Sequence, residues 1–297
     1  MKETLAEWNP VEINGKAYIQ LSEVKNFYQF DRLSIDGKKI TLERGKLTIK
    51  LTSGEQTMLM NGLKFFLSEP VRMHGQVPHL SQLDLKTLIS PLLKPDFQKM
   101  PPMKTIIIDP GHGGMDKGAA KLESAHTLAL ALELHRQLQK KGYKVVLTRE
   151  LDVFVPLGDR IKMANTTSDA IFISLHYNSS ANRNVSGFES YILSARQPRA
   201  THTASLTLAT DLHSRCLRYL NDNRLGAGFN ITDRGIRRAR FNLLSGCKHP
   251  TVIIEAGFLT NKAEAAKIST LKYRLTLANA ITRGIDAYRN SLTKHSN

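Results

Sequence analysis

From Lys104 onward the chain alternates short, continuously apolar runs with longer stretches of helical periodicity, and this rhythm leaves few folds open. TIIID (105–109), KVVLT (144–148), AIFISLH (170–176) and TVIIE (251–255) show no polar alternation. Strands of that kind are covered on both faces, because neither side meets water. ESAHTLALALELHRQLQKKG (123–142) reads as a helix that ends at Gly142 with lysines in its last turn. TASLTLATDLHSRCLRYLND (203–222) and STLKYRLTLANAITRGIDAYRNSL (269–292) are helical too, and GFESYIL (187–193) supplies a further strand. The expected class is α/β, with a mostly parallel sheet over 104–297 covered by helices on both faces.

The first 93 residues obey a different rule. INGKAYIQL and MNGLKFFL carry Asn-Gly turn signals, and ITLERGKLTIKL reads as a hairpin turning at Arg44-Gly45. Leu47, Ile49 and Leu51 alternate with Lys46, Thr48 and Lys50, the period of a half-buried strand. INGKAYIQLSEV (13–24) is echoed by MHGQVPHLSQL (73–83), and each copy leads into a short apolar stretch with helical potential. A small β-rich (α+β) domain over 1–93 is expected. The proline-containing stretch 94–103 then reads as a linker and 104–297 as the second domain.

In open α/β sheets, sites form outside the carboxyl ends of the strands. His112 follows the first strand by three residues, His176 ends a second, Glu255 ends a third, and Glu123 opens the helix after the first. Two imidazoles and two carboxylates are thereby expected at one sheet edge. The glycines around His112 suit a compact, close-approaching loop. Two histidines and a carboxylate form a zinc-binding set of the catalytic kind, and a second carboxylate can serve as general base. Asp109 and Asp116 lie in the same loop as rival carboxylates, and spacing does not choose among them.

IIIDPGHGGMDKGA, ESAHTLALAL, GYKVVLTRELDVFVPLGDRIKMAN, IFISLHYNSS, SGFESYIL, DRGIRRARFNLL and TVIIEAGFLTN occur in an order that resembles the zinc-dependent N-acetylmuramoyl-L-alanine amidases of the AmiC-like (amidase_3) family, over roughly 104–290. The resemblance implies one zinc ion held by His112, Glu123 and His176, with Glu255 catalytic. It implies hydrolysis of the amide between N-acetylmuramic acid and L-alanine in peptidoglycan. At the helix start this chain has Ser124 where the family usually has lysine. The N-terminal region resembles the small β-rich domain first described at the start of copper amine oxidases. His74 and His79 are expected to be surface or internally satisfied histidines there.

Arg149, Arg160 and Arg234 are candidates for binding substrate carboxylates, weighed against ion pairs with Asp152, Asp159 and Asp233. Among 297 residues the formal net charge is +16, which favours a polyanionic partner such as an acidic cell-wall polymer. No arginine–aromatic stripe or nucleic-acid motif accompanies that charge, so a specific nucleic-acid ligand is not expected. A zinc peptidase acting on other peptides and a wall-binding protein without catalysis are the rival readings. Cys216 and Cys247 are expected as two free thiols. No run approaches the ~18 apolar residues of a membrane-spanning helix, and MKETLAEWNP has no apolar signal segment. A periplasmic or extracellular, wall-associated setting fits a mature exported chain. Some relatives carry, after the strand matching SGFESYIL, an insertion whose helix blocks the zinc until a partner removes it. Here SARQPRATHTA (194–204) is expected to be a loop too short for one, so no activator protein is expected.

Overall fold

A computed structural model describes residues 8–197, 199–225 and 228–293. The chain divides into two compact units, Met1–Pro95 with Ala195–Pro198, and Asp96–Ser194 with Arg199–Asn297. Within 94–103 the chain makes a single 3-10 turn, Phe97–Lys99.

The first unit comprises β1 (Val11–Ile13), β2 (Lys16–Gln20), α1 (Leu21–Phe27), β3 (Arg32–Asp36), β4 (Lys39–Arg44), β5 (Leu47–Thr52), β6 (Thr57–Met60), β7 (Leu63–Phe66), β8 (Arg72–His74) and β9 (Val77–Ser81). A helical run follows: α2 (Gln82–Asp84), a π-helical turn (Leu85–Ile89) and α3 (Ser90–Leu93). Strands β3 to β7 make an antiparallel meander. Asn61 (φ 50°) and Gly62 (φ 84°) turn β6 into β7, both in the left-handed region that a two-residue primed turn demands. The sequence echo has a structural counterpart. Hairpins β1–β2 and β8–β9 pair through their inner strands in the order β1-β2-β9-β8, and each inner strand runs directly into a helix. His79 is buried with Nδ1 against the Val77 carbonyl at 2.9 Å, while His74 is exposed.

The second unit comprises β10 (Thr105–Pro110), α4 (Glu123–Lys140), β11 (Lys144–Leu147), α5 (Leu157–Thr166), β12 (Ala170–Asn178), β13 (Phe188–Leu193), α6 (Ala200–Asn221), β14 (Asp233–Ala239), α7 (Asn242–Gly246), β15 (Thr251–Phe258), α8 (Lys262–Ile268) and α9 (Leu271–Thr293). Its strands lie in the order β11-β10-β12-β15-β13-β14. The first four are mutually parallel; β13 runs antiparallel to β15 and parallel to β14. Alternation across the pleat divides the side chains between two layers. Ile107, Phe172 and Ile253 pack with Leu243 and Leu244 of α7 and Ala164 of α5. α4, α6 and α9 pack together against the other face. The helix expected from residue 203 begins at Ala200, so only 194–199 separate it from β13. Cys216 and Cys247 are free thiols, the first fully buried on α6.

Candidate active site

The register of the parallel strands assembles the site. Asp109 lies opposite Ser174 on β12, and His176 lies opposite Glu255 on β15. Asp109, Ser174, His176 and Glu255 share the parity of Ile107, Phe172 and Ile253, so all belong to the α5/α7 side of the sheet. There a cleft of about 630 Å³ opens, lined among others by His112, His176, Glu255, Phe154, Leu157 and Phe241.

His112 sits in the left-handed region, at φ 60°. A non-glycine residue keeps that conformation only where its surroundings over-determine it. Two buried arginines do so here. Arg149 donates through Nε to the Pro110 carbonyl (3.0 Å) and through Nη2 to Gly111 O (2.9 Å). Arg160 donates through Nη1 to Pro110 O (2.8 Å) and through Nη2 to His112 O (2.7 Å). Three consecutive loop carbonyls are thus each held by a guanidinium. The glycines remove what would otherwise collide. A Cβ on Gly111 would enter the His176 imidazole, and one on Gly113 would meet the Val153 carbonyl. On Gly118, a Cβ would come to 2.5 Å from Glu123 Oε2.

His112 Nε2 lies 3.0 Å from Glu123 Oε2, and His176 Nδ1 lies 2.9 Å from Glu123 Oε1. The imidazoles meet edge to face with centroids 5.0 Å apart. One nitrogen or oxygen from each of the three residues falls within 4.8 Å of the others. Asp116 Oδ2 holds His112 Nδ1 at 2.8 Å, which fixes the ring and leaves Nε2 turned to the cluster. Glu123 is 3% exposed at the first turn of α4; its carboxylate also accepts from the amides of Ala119 (2.7 Å) and Tyr177 (3.0 Å). Burial opposes its ionisation, but hydrogen bonds from the two histidines outweigh that and hold the carboxyl well below its usual range. The hydrogen bond to Glu123 pushes His112 up to about 9. Burial lowers His176, and its bond to Glu123 more than offsets this, so it too is raised. This donor set, two imidazole nitrogens and one carboxylate converging with an orienting carboxylate behind, fits a zinc ion.

Of the rival carboxylates, Asp109 is fully engaged by Thr148 Oγ1 (2.6 Å), Ser174 Oγ (2.7 Å) and Arg160 Nη1 (2.5 Å). Asp116 supports His112 from behind. Of these carboxylates, Glu123 is the one that converges with both histidines. Glu255 is half-buried, and its Oε2, shielded from solvent, has no hydrogen-bond partner among the described residues. Desolvation pushes its carboxyl up to about 8.

The arginines stand differently from expectation. Arg149 and Arg160 spend their guanidiniums on the loop carbonyls and on Asp109, and the pairings with Asp152 and Asp159 are not formed; Asp152 instead takes Lys117 at 2.7 Å. Arg234 pairs with Glu189 (2.9 Å), not Asp233, and lies over the Phe258 ring at 4.8 Å. All three guanidiniums are thus engaged within the protein. Glu189, which no sequence signal singled out, faces Glu255 across β13 and β15. It accepts from Asn178 Nδ2 (2.6 Å), the Tyr191 hydroxyl (2.9 Å) and Arg234 Nε (2.9 Å) and pairs with Arg237 (3.1 Å). Ser190, His213 and Asp233 line up at 2.9 Å each like a serine-hydrolase triad. Ser190 and His213 are 0% exposed, so that chain of bonds serves the interior, away from any cleft.

The Amidase_3 family, described as N-acetylmuramoyl-L-alanine amidase, matches residues 106–287, more than half the chain. Bacillus subtilis YqiI, an uncharacterized protein, is 32% identical over 62% of this chain and 84% of its own length. A probable cell wall amidase of Staphylococcus epidermidis, LytH, is 32% identical over 63% of this chain, which spans 59% of the LytH length. The catalytic domain of CwlV, an N-acetylmuramoyl-L-alanine amidase from Bacillus (Paenibacillus) polymyxa, superposes with a TM-score of 0.55 at 31% identity, covering 63% of this chain and 99% of CwlV's.

Proposed function

We propose, from the premise that the chain belongs to the N-acetylmuramoyl-L-alanine amidase family and is an enzyme of that class, that it hydrolyses the amide joining N-acetylmuramic acid to L-alanine in peptidoglycan with the help of one zinc ion. The observation that carries this reading is the convergence of His112, Glu123 and His176 beside a carboxylate with an unpartnered oxygen in an open cleft. Zinc held by those three residues would polarise the scissile carbonyl and acidify an attacking water. Glu255 Oε2 takes the proton of that water and returns it to the leaving amine nitrogen. The carboxyl stands at about 8 in the metal-free protein, and a nearby dication favours its ionised, basic form. Asp116 holds the His112 ring, while Arg149 and Arg160 hold the backbone that presents it. The Glu189 network packs the strand neighbouring Glu255.

The setting is the cell wall, periplasmic or extracellular, with anionic wall polymers as additional contacts for a basic protein. Cell separation, wall remodelling or recycling are the processes this cleavage would serve. Six residues, 194–199, join β13 to α6, too few for a blocking helix of several turns, so activity needs no activator protein. Metal removal tests the chemistry. Exhaustive chelation abolishes hydrolysis and added Zn²⁺ restores it; full activity in a protein shown by elemental analysis to be metal-free refutes the reading.

A further inference from the structure

Two guanidiniums line the cleft, and only one is engaged. Arg160 is 5% exposed, and its Nε, Nη1 and Nη2 bond Val155 O, Asp109, Pro110 O and His112 O. Arg240, the residue after the end of β14, is exposed and makes no hydrogen bond or ion pair among the described residues. Its neighbours along the strand differ: Arg234 and Arg237 are both tied to Glu189. The carboxylates of the cleft do not supply Arg240 with a partner, since Asp109 and Asp116 are engaged and the half-buried Glu255 makes no ion pair among the described residues. Around the mouth stand exposed apolar groups: Phe241 at 46%, its ring 5.2 Å from that of Tyr191, together with Phe154 at 49% and Leu157 at 41%. The cleft thus offers one uncommitted cation beside apolar walls, in the same cavity as His112, His176 and Glu255.

The chemistry of the proposed substrate says which group fits. In a muramoyl-alanine amide the muramic carboxyl is itself the acyl group, and the rest of the sugar is neutral. Anionic groups within reach of the scissile bond therefore belong to the peptide, on the side of the leaving amine. A planar guanidinium with free N–H groups recognises a carboxylate bidentately, and does not do so for a carboxamide. We infer that Arg240 is a substrate-binding residue that selects peptides bearing a free carboxylate close to the alanine. This rests on the amidase reading above and names the specificity of the same cleft.

The test is steady-state kinetics of the full chain on two N-acetylmuramoyl-L-alanyl peptides with amidated C-termini, one with glutamate after the alanine and one with glutamine there. Wild type is expected to show a KM about tenfold lower for the acidic peptide, the size of one charge-assisted hydrogen-bonded contact. Arg240→Gln raises the KM for the acidic peptide to that of the neutral one, leaves kcat and the neutral peptide unchanged, and abolishes the salt sensitivity of the preference. Such a KM effect without a kcat effect marks binding shared by ground and transition states. Arg240→Lys keeps part of the preference. If wild type cleaves both peptides with equal KM, or if Arg240→Gln impairs both equally, the inference is overturned while the amidase reading stands. If wild type cleaves neither, both fall together.

Discussion

Glu255, the proposed base, ties the chemistry and the pH response of the site to one position. Replacing it with Gln keeps the shape and removes the base, so zinc stays bound while turnover falls by roughly 10²-fold or more; retained turnover with lost zinc would make Glu255 a ligand instead. Stability follows from the raised pKa. In the metal-free protein the folded-state value is about 8 against 4.5 for the free side chain. Between these pH values the unfolded chain releases a proton that the folded chain keeps, so stability falls as pH rises, by up to about 1.4 kcal/mol per unit. Glu255→Gln lacks that slope. Urea midpoints should therefore place the metal-free variant above wild type at pH 8 by more than at pH 5. His112 acts in the same direction: its contribution is complete below 6.5 and lost as pH climbs through about 9. Arg160→Ala leaves Asp109 buried without its cation and should cost about 3–5 kcal/mol in a thermal or urea melt, with weaker metal binding as the His112 loop loosens. His112, His176 and Glu255 were legible in the sequence because each lies at or just beyond a strand end. The partners of the arginines were not, because they come from other segments: carbonyls of the β10 loop, Asp109 and Glu189, where the sequence offered only nearby aspartates. Asp116 and Arg240 are visible as residues, but their roles exist only once the cleft has closed around them.

At the scale of elements, the stretch after β10 carries the most constraint. Its glycines are matched to particular atoms, so Gly111→Ala should abolish zinc binding by driving a methyl group into the His176 ring, while the fold, measured by circular dichroism, persists. A variant that binds zinc normally would show that the loop has slack the geometry does not reveal. Apolar runs fixed β10, β12 and β15 in the sequence, since strands covered on both faces leave a continuous signature. The boundary of α6 was less legible: Ala200, Thr201 and His202 extend the helix ahead of its apolar repeat, and the connection to β13 is shorter for it. The π-helical turn at Leu85–Ile89 had no local signal either; its four buried side chains mark it as a product of packing.

At the scale of the molecule, charge is unevenly placed. Of the 42 Lys+Arg, 29 fall within 96–297, against only 16 of the 26 Asp+Glu, so most of the +16 belongs to the second unit. Retention on intact cell walls should weaken as salt rises from about 0.05 to 0.5 M, because interactions between exposed charges are screened beyond about 10 Å at 0.1 M and over shorter distances at higher salt. Salt-independent retention would assign the binding to an uncharged pocket instead. The account as a whole stands on the bond that is cut. Purified peptidoglycan digested by the zinc-loaded full chain, with no second protein present, should release peptides whose new free amino terminus is alanine, and leave glycan strands carrying free muramic carboxyl groups by mass. New termini elsewhere in the peptide, or new reducing sugar ends with the muramoyl–alanine bond intact, would contradict it.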